Sequence, residues 1–155
     1  MPLGVVAGIV PSTNPTSTVF FKSEIAIKAG NSIVFSPHPS ALRCIQEAVK
    51  VIRQAIAEVG GNENLVSCIS IPTRQATETL MKHPDTAMIL ATGGSAMVHA
   101  AYSSGNPAIG VGPGNGPAFI DKSADLALAV KRIMDSKTFD NGTICASEQS
   151  IICEE

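Results

Sequence analysis

The feature that most limits what this chain can become is an alternation of wholly apolar runs with amphipathic ones. Leu3–Val10 reads LGVVAGIV, apolar at every position rather than at every second one. A strand apolar on both faces needs cover on both, which is the condition of a parallel strand in a helix-covered sheet. Similar runs return at Ser32–Ser36, Leu65–Ile71, Thr86–Ala91 and Ala108–Gly112, with Ala118–Ile120 as a short extended piece. Helical stretches fall between them. Thr16 or Ser17 is placed to cap one that runs to about Ala29 and stops at Gly30. Ser40 caps a second, in which Leu42, Ile45, Val49, Ile52, Ile56 and Val59 recur at three- and four-residue steps. Thr73 opens a third that Pro84 closes, and Gly94–Ser103 forms a fourth. Ser123 caps a fifth, Ala124–Met134, with Ala127, Val130, Ile133 and Met134 facing inward. The pattern predicts an α/β fold: an open, mostly parallel sheet with helices on both faces.

Composition agrees with a packed core and excludes several classes. Hydrophobic residues make up 45% and charged residues 15%, and with Trp 0, Tyr 1 and Phe 5 the core must be aliphatic. A net charge of −2 argues against a nucleic-acid footprint or a polybasic membrane anchor. No apolar run is long enough to span a bilayer, and no charged-then-apolar leader is visible. Cys44, Cys68, Cys145 and Cys153 show neither CxxC nor zinc spacing, so no metal site is expected and the four read as reduced thiols of a cytoplasmic protein.

Ligands in open parallel sheets bind beyond the carboxyl ends of the strands. Topology therefore singles out Pro11–Pro15, Ser36–Pro39, Thr92–Ser95 and Gly112–Pro117. Thr92-Gly93-Gly94-Ser95 joins a strand to a helix, where bare glycine backbone and free helix amides suit an anion; it also reads as a plain tight turn. Ser36-Pro37-His38-Pro39 is a rigid extended exit from the second strand. Gly110–Pro117 holds four glycines and two prolines, a density that suits backbone packed against something bulky or a mobile connector. Cys44, Cys68 and Cys153 lie in apolar contexts and read as small core residues. Cys145 instead sits in the polar, glycine-containing stretch FDNGTICASEQ, and a thiol on a loop is a candidate nucleophile.

Taken together, these segments resemble the aldehyde dehydrogenase superfamily, and more closely its CoA-acylating members, including the aldehyde half of bifunctional aldehyde–alcohol dehydrogenases. The resemblance runs through the whole chain. Its most specific stretches are Pro11–Ser17, Phe35–Pro39, Ile89–Gly94, Tyr102–Gly105 and Lys137–Ser150. It implies a Rossmann-like sheet of the aldehyde dehydrogenase type plus the start of a catalytic domain, with residues 1–136 as a partial NAD-binding domain and 137–155 carrying the nucleophile loop. It implies Cys145 as nucleophile and Asn14 as the oxyanion-stabilising amide. Cofactor contacts fall on Pro11, Ser36, Pro37, His38, Thr92, Gly93, Gly94, Ser95 and Gly112. NAD is the implied cofactor and coenzyme A the co-substrate, with a small aldehyde as partner and a homo-oligomeric full-length form.

Three departures refine this. Ser36 stands where ordinary aldehyde dehydrogenases carry a ribose-binding lysine, and the lack of a basic residue favours NAD over NADP. Val98 replaces a later glycine of the pyrophosphate segment. Hydrolytic relatives carry a glutamate at the segment here written Val111-Gly112-Pro113-Gly114, whereas no glutamate occurs between Glu78 and Glu148. Water, with a pKa of about 15.7, needs such a base, whereas a free thiol near pKa 8.5 already supplies some thiolate at neutrality. The absence fits acyl transfer to CoA. Family members are much longer, so the chain reads as an internal fragment whose own turnover is open. An acyl-phosphate reductase of the same superfamily and a non-catalytic nucleotide-binding or assembly module are the alternatives.

Overall fold

A computed structural model describes residues 2–154. The chain divides into two compact units, the first ending at Gly112 and the second beginning at Pro113. The first unit is a five-stranded sheet in the order β3-β2-β1-β4-β5. Its strands are β1 (Val5–Val10), β2 (Ser32–Pro37), β3 (Val66–Cys68), β4 (Thr86–Thr92) and β5 (Ala108–Val111), and every pairing is parallel. The helices between them are α1 (Pro15–Lys28), α2 (Leu42–Glu58), α3 (Arg74–Lys82) and α4 (Ser95–Tyr102).

The uniformly apolar first strand is explained by what lies on each side of it. Val6 and Val10 join one cluster with Val19 and Ala26 of α1 and Ile45, Ala48 and Val49 of α2. Ala7 and Ile9 join another with Met81 of α3 and Ala101 of α4. Alternate residues of one strand thus feed two cores, and helices cover both faces. The strand order reverses between β1 and β4, and such a reversal is where an open parallel sheet is expected to bind a ligand, beside the loops that follow those two strands.

Several helix starts differ from the expectation. α1 begins at Pro15, with Asn14 in the cap position, rather than at Thr16 or Ser17. Proline suits the first helical residue because it lacks an amide there. Thr18 then donates both its N–H and its hydroxyl to the Asn14 carbonyl, and the Ser17 hydroxyl donates there as well. Ser40 does not cap α2. It lies in a short 3₁₀ turn, Pro39–Ala41, which precedes α2 and is itself capped by His38. β3 is only three residues long: a 3₁₀ turn at Glu63–Leu65, capped by the Asn62 side chain, takes its predicted first residue, and Ile69–Ile71 lie beyond its end.

The second unit pairs β6 (Gly116–Ile120) in parallel with β7 (Glu148–Cys153), joined through α5 (Leu126–Thr138) and a 3₁₀ turn at Phe139–Gly142. Asp125, not Ser123, caps α5, its Oδ1 accepting the Leu128 N–H at 3.0 Å. Ser123 instead donates its N–H and hydroxyl to Asp121, and these bonds hold the Asp121 carboxyl below the usual carboxylate range. The inward face expected for α5 is not buried: Ala127, Val130 and Met134 are exposed and Ile133 half-buried. Cys44 and Cys153 are likewise exposed rather than core residues. Cys44 adjoins the buried row of α2 but lies off it, and Cys153 ends a strand with one paired neighbour and little cover. Because β6 pairs with β7, residues from Pro113 onward group with the nucleophile loop; this division of compactness falls earlier than the 136/137 boundary read from the sequence.

Candidate active site

In the first unit the candidate residues gather at the carboxyl ends of the strands. Pro11, buried, follows β1, and Asn14, half-buried, holds the cap position of α1. Among the described residues the Asn14 side chain makes no capping bond, and its Oδ1 accepts a long 3.3 Å bond from the Thr13 hydroxyl. Thr92 ends β4, and Gly93 donates its N–H to Val111 of the neighbouring strand. Gly94 is the cap residue of α4, with no side-chain bond to the first turn. Its carbonyl accepts from Met97 and Val98, while the earliest amides of a helix have no acceptor inside it. Gly112 follows β5 directly.

Ser36, Pro37 and His38 divide in their availability. Ser36 is buried, and its hydroxyl shares a 2.7 Å hydrogen bond with Thr77 of α3. Pro37 is also buried. His38 is exposed, and its Nδ1 accepts the Ser40 N–H at 3.2 Å. Of the three, His38 alone is exposed. An open cleft of about 500 Å³ lies elsewhere on this unit, beside Ile69, Thr73, Ala76, Thr79 and Leu80; none of the candidate catalytic or cofactor residues lines it.

Lys22 was not legible as a site-supporting residue. It is 4% exposed, and its Nζ donates to the carbonyls of Ile9 and Leu90, each at 2.7 Å. These carbonyls belong to β1 and β4, so the ammonium ties together the two strands between which the order reverses. Burial pushes its pKa down to about 7. Its place on a helix otherwise bearing Phe20, Phe21 and Ile25 gave no sign of this. Cys68 shows the opposite sense, since burial pushes its thiol up to about 11 and keeps it protonated.

Cys145 belongs to the second unit. All four cysteines are free, and Cys145 is exposed. Asp140, Asn141 and Gly142 precede it with φ of 50°, 54° and 70°. Asp and Asn tolerate the left-handed region better than other side chains, and here Asp140 gains from it: its carbonyl and Oδ2 both receive the Thr143 hydroxyl. Ile144–Ser147 then forms a tight turn with Cys145 at its second position. Ser147 is 2% exposed and donates both its N–H and its hydroxyl to the Ile144 carbonyl, at 3.2 and 3.0 Å. A buried serine thus anchors the turn that presents an exposed thiol. Glu148 follows, with Oε2 buried and unpartnered among the described residues.

The glycine-rich stretch splits between the two units. A β-carbon on Gly110 would press on Val98 and Tyr102 of α4, and the Tyr102 hydroxyl accepts the Gly110 N–H at 2.9 Å. Glycine there lets α4 lie close on β5. Gly114 instead lies against the Cys145 main chain. Among the described residues no three His, Cys, Asp or Glu side chains stand together as metal ligands, and no helix is long and apolar enough to cross a membrane.

The chain matches the model of the aldehyde dehydrogenase family over residues 1–155. It is 53% identical over 151 residues to the bifunctional aldehyde-alcohol dehydrogenase AdhE of Escherichia coli, covering 97% of this chain and 17% of that protein. It superposes on an acetylating aldehyde dehydrogenase from Geobacillus thermoglucosidasius with a TM-score of 0.92 and 60% identity, over 99% of this chain and 34% of the other. A propionaldehyde dehydrogenase from Rhodopseudomonas palustris, described with bound CoA and an acylated cysteine, aligns at 41% identity and a TM-score of 0.91, over 98% of this chain and 35% of the other. The chain therefore spans about a sixth of that curated relative and about a third of those solved structures.

Proposed function

The chain belongs to the aldehyde dehydrogenase family, and from that premise we propose that it carries the cofactor sheet and nucleophile loop of a CoA-acylating aldehyde dehydrogenase. The reaction interconverts an aldehyde, CoA and NAD with acyl-CoA and NADH, acetaldehyde being the favoured aldehyde. Residues 1–136 serve NAD binding, and 137–155 begin the catalytic domain. The observation that carries this reading is Cys145, an exposed thiol on a turn anchored by buried Ser147, in a chain similar throughout to acylating enzymes.

The strand ends fit a dinucleotide. Pro11, Pro37 and His38 line the exits of β1 and β2. Thr92, Gly93, Gly94 and Ser95 lead into the uncapped N-terminus of α4, whose free amides and positive dipole end suit a pyrophosphate. Gly112 completes the set after β5. Ser36 acts through its bond to Thr77, holding the β2 exit against α3 rather than reaching a ligand itself. NAD, when bound, accepts the hydride released from the aldehyde carbon. Ser36 provides no cation for a 2′-phosphate, which supports NAD over NADP.

The Cys145 thiolate adds to the aldehyde carbonyl carbon, and the carbonyl electrons move to oxygen. The Cys145 N–H and the uncommitted side-chain amide of Asn14 stabilise that oxyanion in the roles the family implies. Loss of hydride leaves an acyl thioester on Cys145. CoA thiolate then attacks the thioester carbonyl, expels the Cys145 thiolate and leaves as acyl-CoA. No glutamate lies between Glu78 and Glu148 to activate water in competition. The four free cysteines support a cytoplasmic setting, and the full-length form acts as a homo-oligomer.

The test mixes the protein with acetaldehyde, NAD and CoA and follows NADH absorbance. NADH forms only with CoA, and Cys145→Ala lowers turnover by about 10³-fold or more. Equal NADH formation without CoA would overturn the acyl-transfer assignment.

A further inference from the structure

The glycine-rich segment and the Cys145 turn meet main chain to main chain. A β-carbon on Gly114 would overlap the Cys145 carbonyl oxygen and lie 2.9 Å from the carbonyl carbon and 3.8 Å from the α-carbon. The obstruction is backbone, so no rotamer change relieves it. Gly114 is also not among the residues of positive φ, so closeness, not dihedral freedom, demands glycine here. Two residues on, Gly116 has nothing within 4 Å of such a β-carbon. The close approach to Cys145 therefore belongs to Gly114 and not to Gly116. On the other side of the turn, buried Ser147 holds the Ile144 carbonyl through its N–H and hydroxyl.

We infer that Gly114 is the positioning residue of Cys145: its bare α-carbon seats the Cys145 carbonyl and so sets the backbone from which the thiol projects. Pinning that carbonyl restricts ψ of Cys145, and backbone angles decide which side-chain rotamers are open to Sγ. The N–H assigned to the oxyanion lies on the same short turn. A displacement of about 1 Å at reacting atoms lowers turnover by about 10²-fold. This rests on the reading of Cys145 as nucleophile. It adds that a glycine far away in sequence places the nucleophile without touching substrate.

The test compares Gly114→Ala, Gly116→Ala and Cys145→Ala with the wild type in the full chain. Peptide mapping follows iodoacetamide modification of Cys145, with exposed Cys44 and Cys153 of the same molecules as internal references. Gly114→Ala slows modification of Cys145 relative to Cys44 by about tenfold or more, and lowers kcat by about 100-fold with KM for the aldehyde little changed. Gly116→Ala matches the wild type in both. Equal Cys145 rates in the two glycine variants overturn the inference, even where Cys145→Ala is inactive. An active Cys145→Ala removes the nucleophile reading instead. Should Gly114→Ala fail to fold, the wild-type contact is measured directly by nuclear Overhauser effect between the α-protons of Gly114 and Cys145. Its presence supports the inference and its absence overturns it.

Discussion

Strands β1 and β7 are each six residues long, yet five residues of β1 are buried and five of β7 are exposed. β1 is flanked by β2 and β4 and covered by helices on both faces. β7 has one paired neighbour, and α5 beside it contributes no buried residue. Apolar character states that a strand can be covered; its neighbours decide whether it is. The same contrast separates the two candidate machineries. The residues proposed for the dinucleotide stand on the ends of a doubly covered sheet. Cys145 stands on a turn held by a few specific contacts, namely Ser147 on Ile144 and Gly114 beneath the Cys145 carbonyl.

The comparison is broken most directly by one substitution made twice. Ile9 in β1 is 4% exposed and Ile151 in β7 is 57% exposed. Ile9→Ala should destabilise by about 2–5 kcal/mol, the cost of a core cavity, whereas Ile151→Ala should stay within about 0.5 kcal/mol in chemical denaturation. Similar losses at the two sites would mean that β7 is as well covered as β1.

Lys22 sharpens the comparison through pH. Its folded pKa of about 7 lies below the ordinary 10.5, so the unfolded chain holds a proton that the folded one releases. Stability therefore rises as pH goes from about 7 towards 10.5 and is lost again as pH falls through that window. The swing amounts to a few kcal/mol at about 1.36 kcal/mol per pKa unit. Lys22→Met should flatten it in thermal melts recorded across that range. A melt series with the same pH slope in both proteins would show that Lys22 is not the titrating group.

The smallest expected effect is at a helix end. Thr73 Oγ1 accepts the Ala76 N–H at 3.0 Å and caps α3. Thr73→Ala should cost about 1 kcal/mol, read as a shift of the denaturation midpoint at constant slope.

Much of the first unit was legible in the sequence. The five parallel strands and four helices follow from apolar runs, helical periodicity and the Gly and Pro residues between them. Thr73 and Gly30 mark helix ends as expected. Thr16 or Ser17 and Ser40 were misjudged as caps because Pro15 and Pro39 each open a helical turn just before the hydroxyl that seemed best placed. α5 was misjudged because its periodicity is real while its cover is absent among the described residues. Of the candidate site, Cys145 was legible as an exposed thiol outside the helices and strands, and the loops as segments that follow strand ends. Ser36 could not be known to be turned inward, since its partner Thr77 lies on another helix.

The residues alone establish a local pattern: where apolar side chains run unbroken or recur near every 3.6 positions, and where proline or glycine interrupts them. That is enough for an α/β sheet with helices on both faces, since periodicity records which way neighbouring side chains point. Only the tertiary structure decided that Lys22 spans the carbonyls of Ile9 and Leu90, that Ser36 meets Thr77, and that Gly114 lies under Cys145. Each of these joins residues far apart in the chain, and two of them use main-chain atoms that every residue possesses. A contact made by a carbonyl, or by the lack of a β-carbon, leaves no distinctive residue type to read.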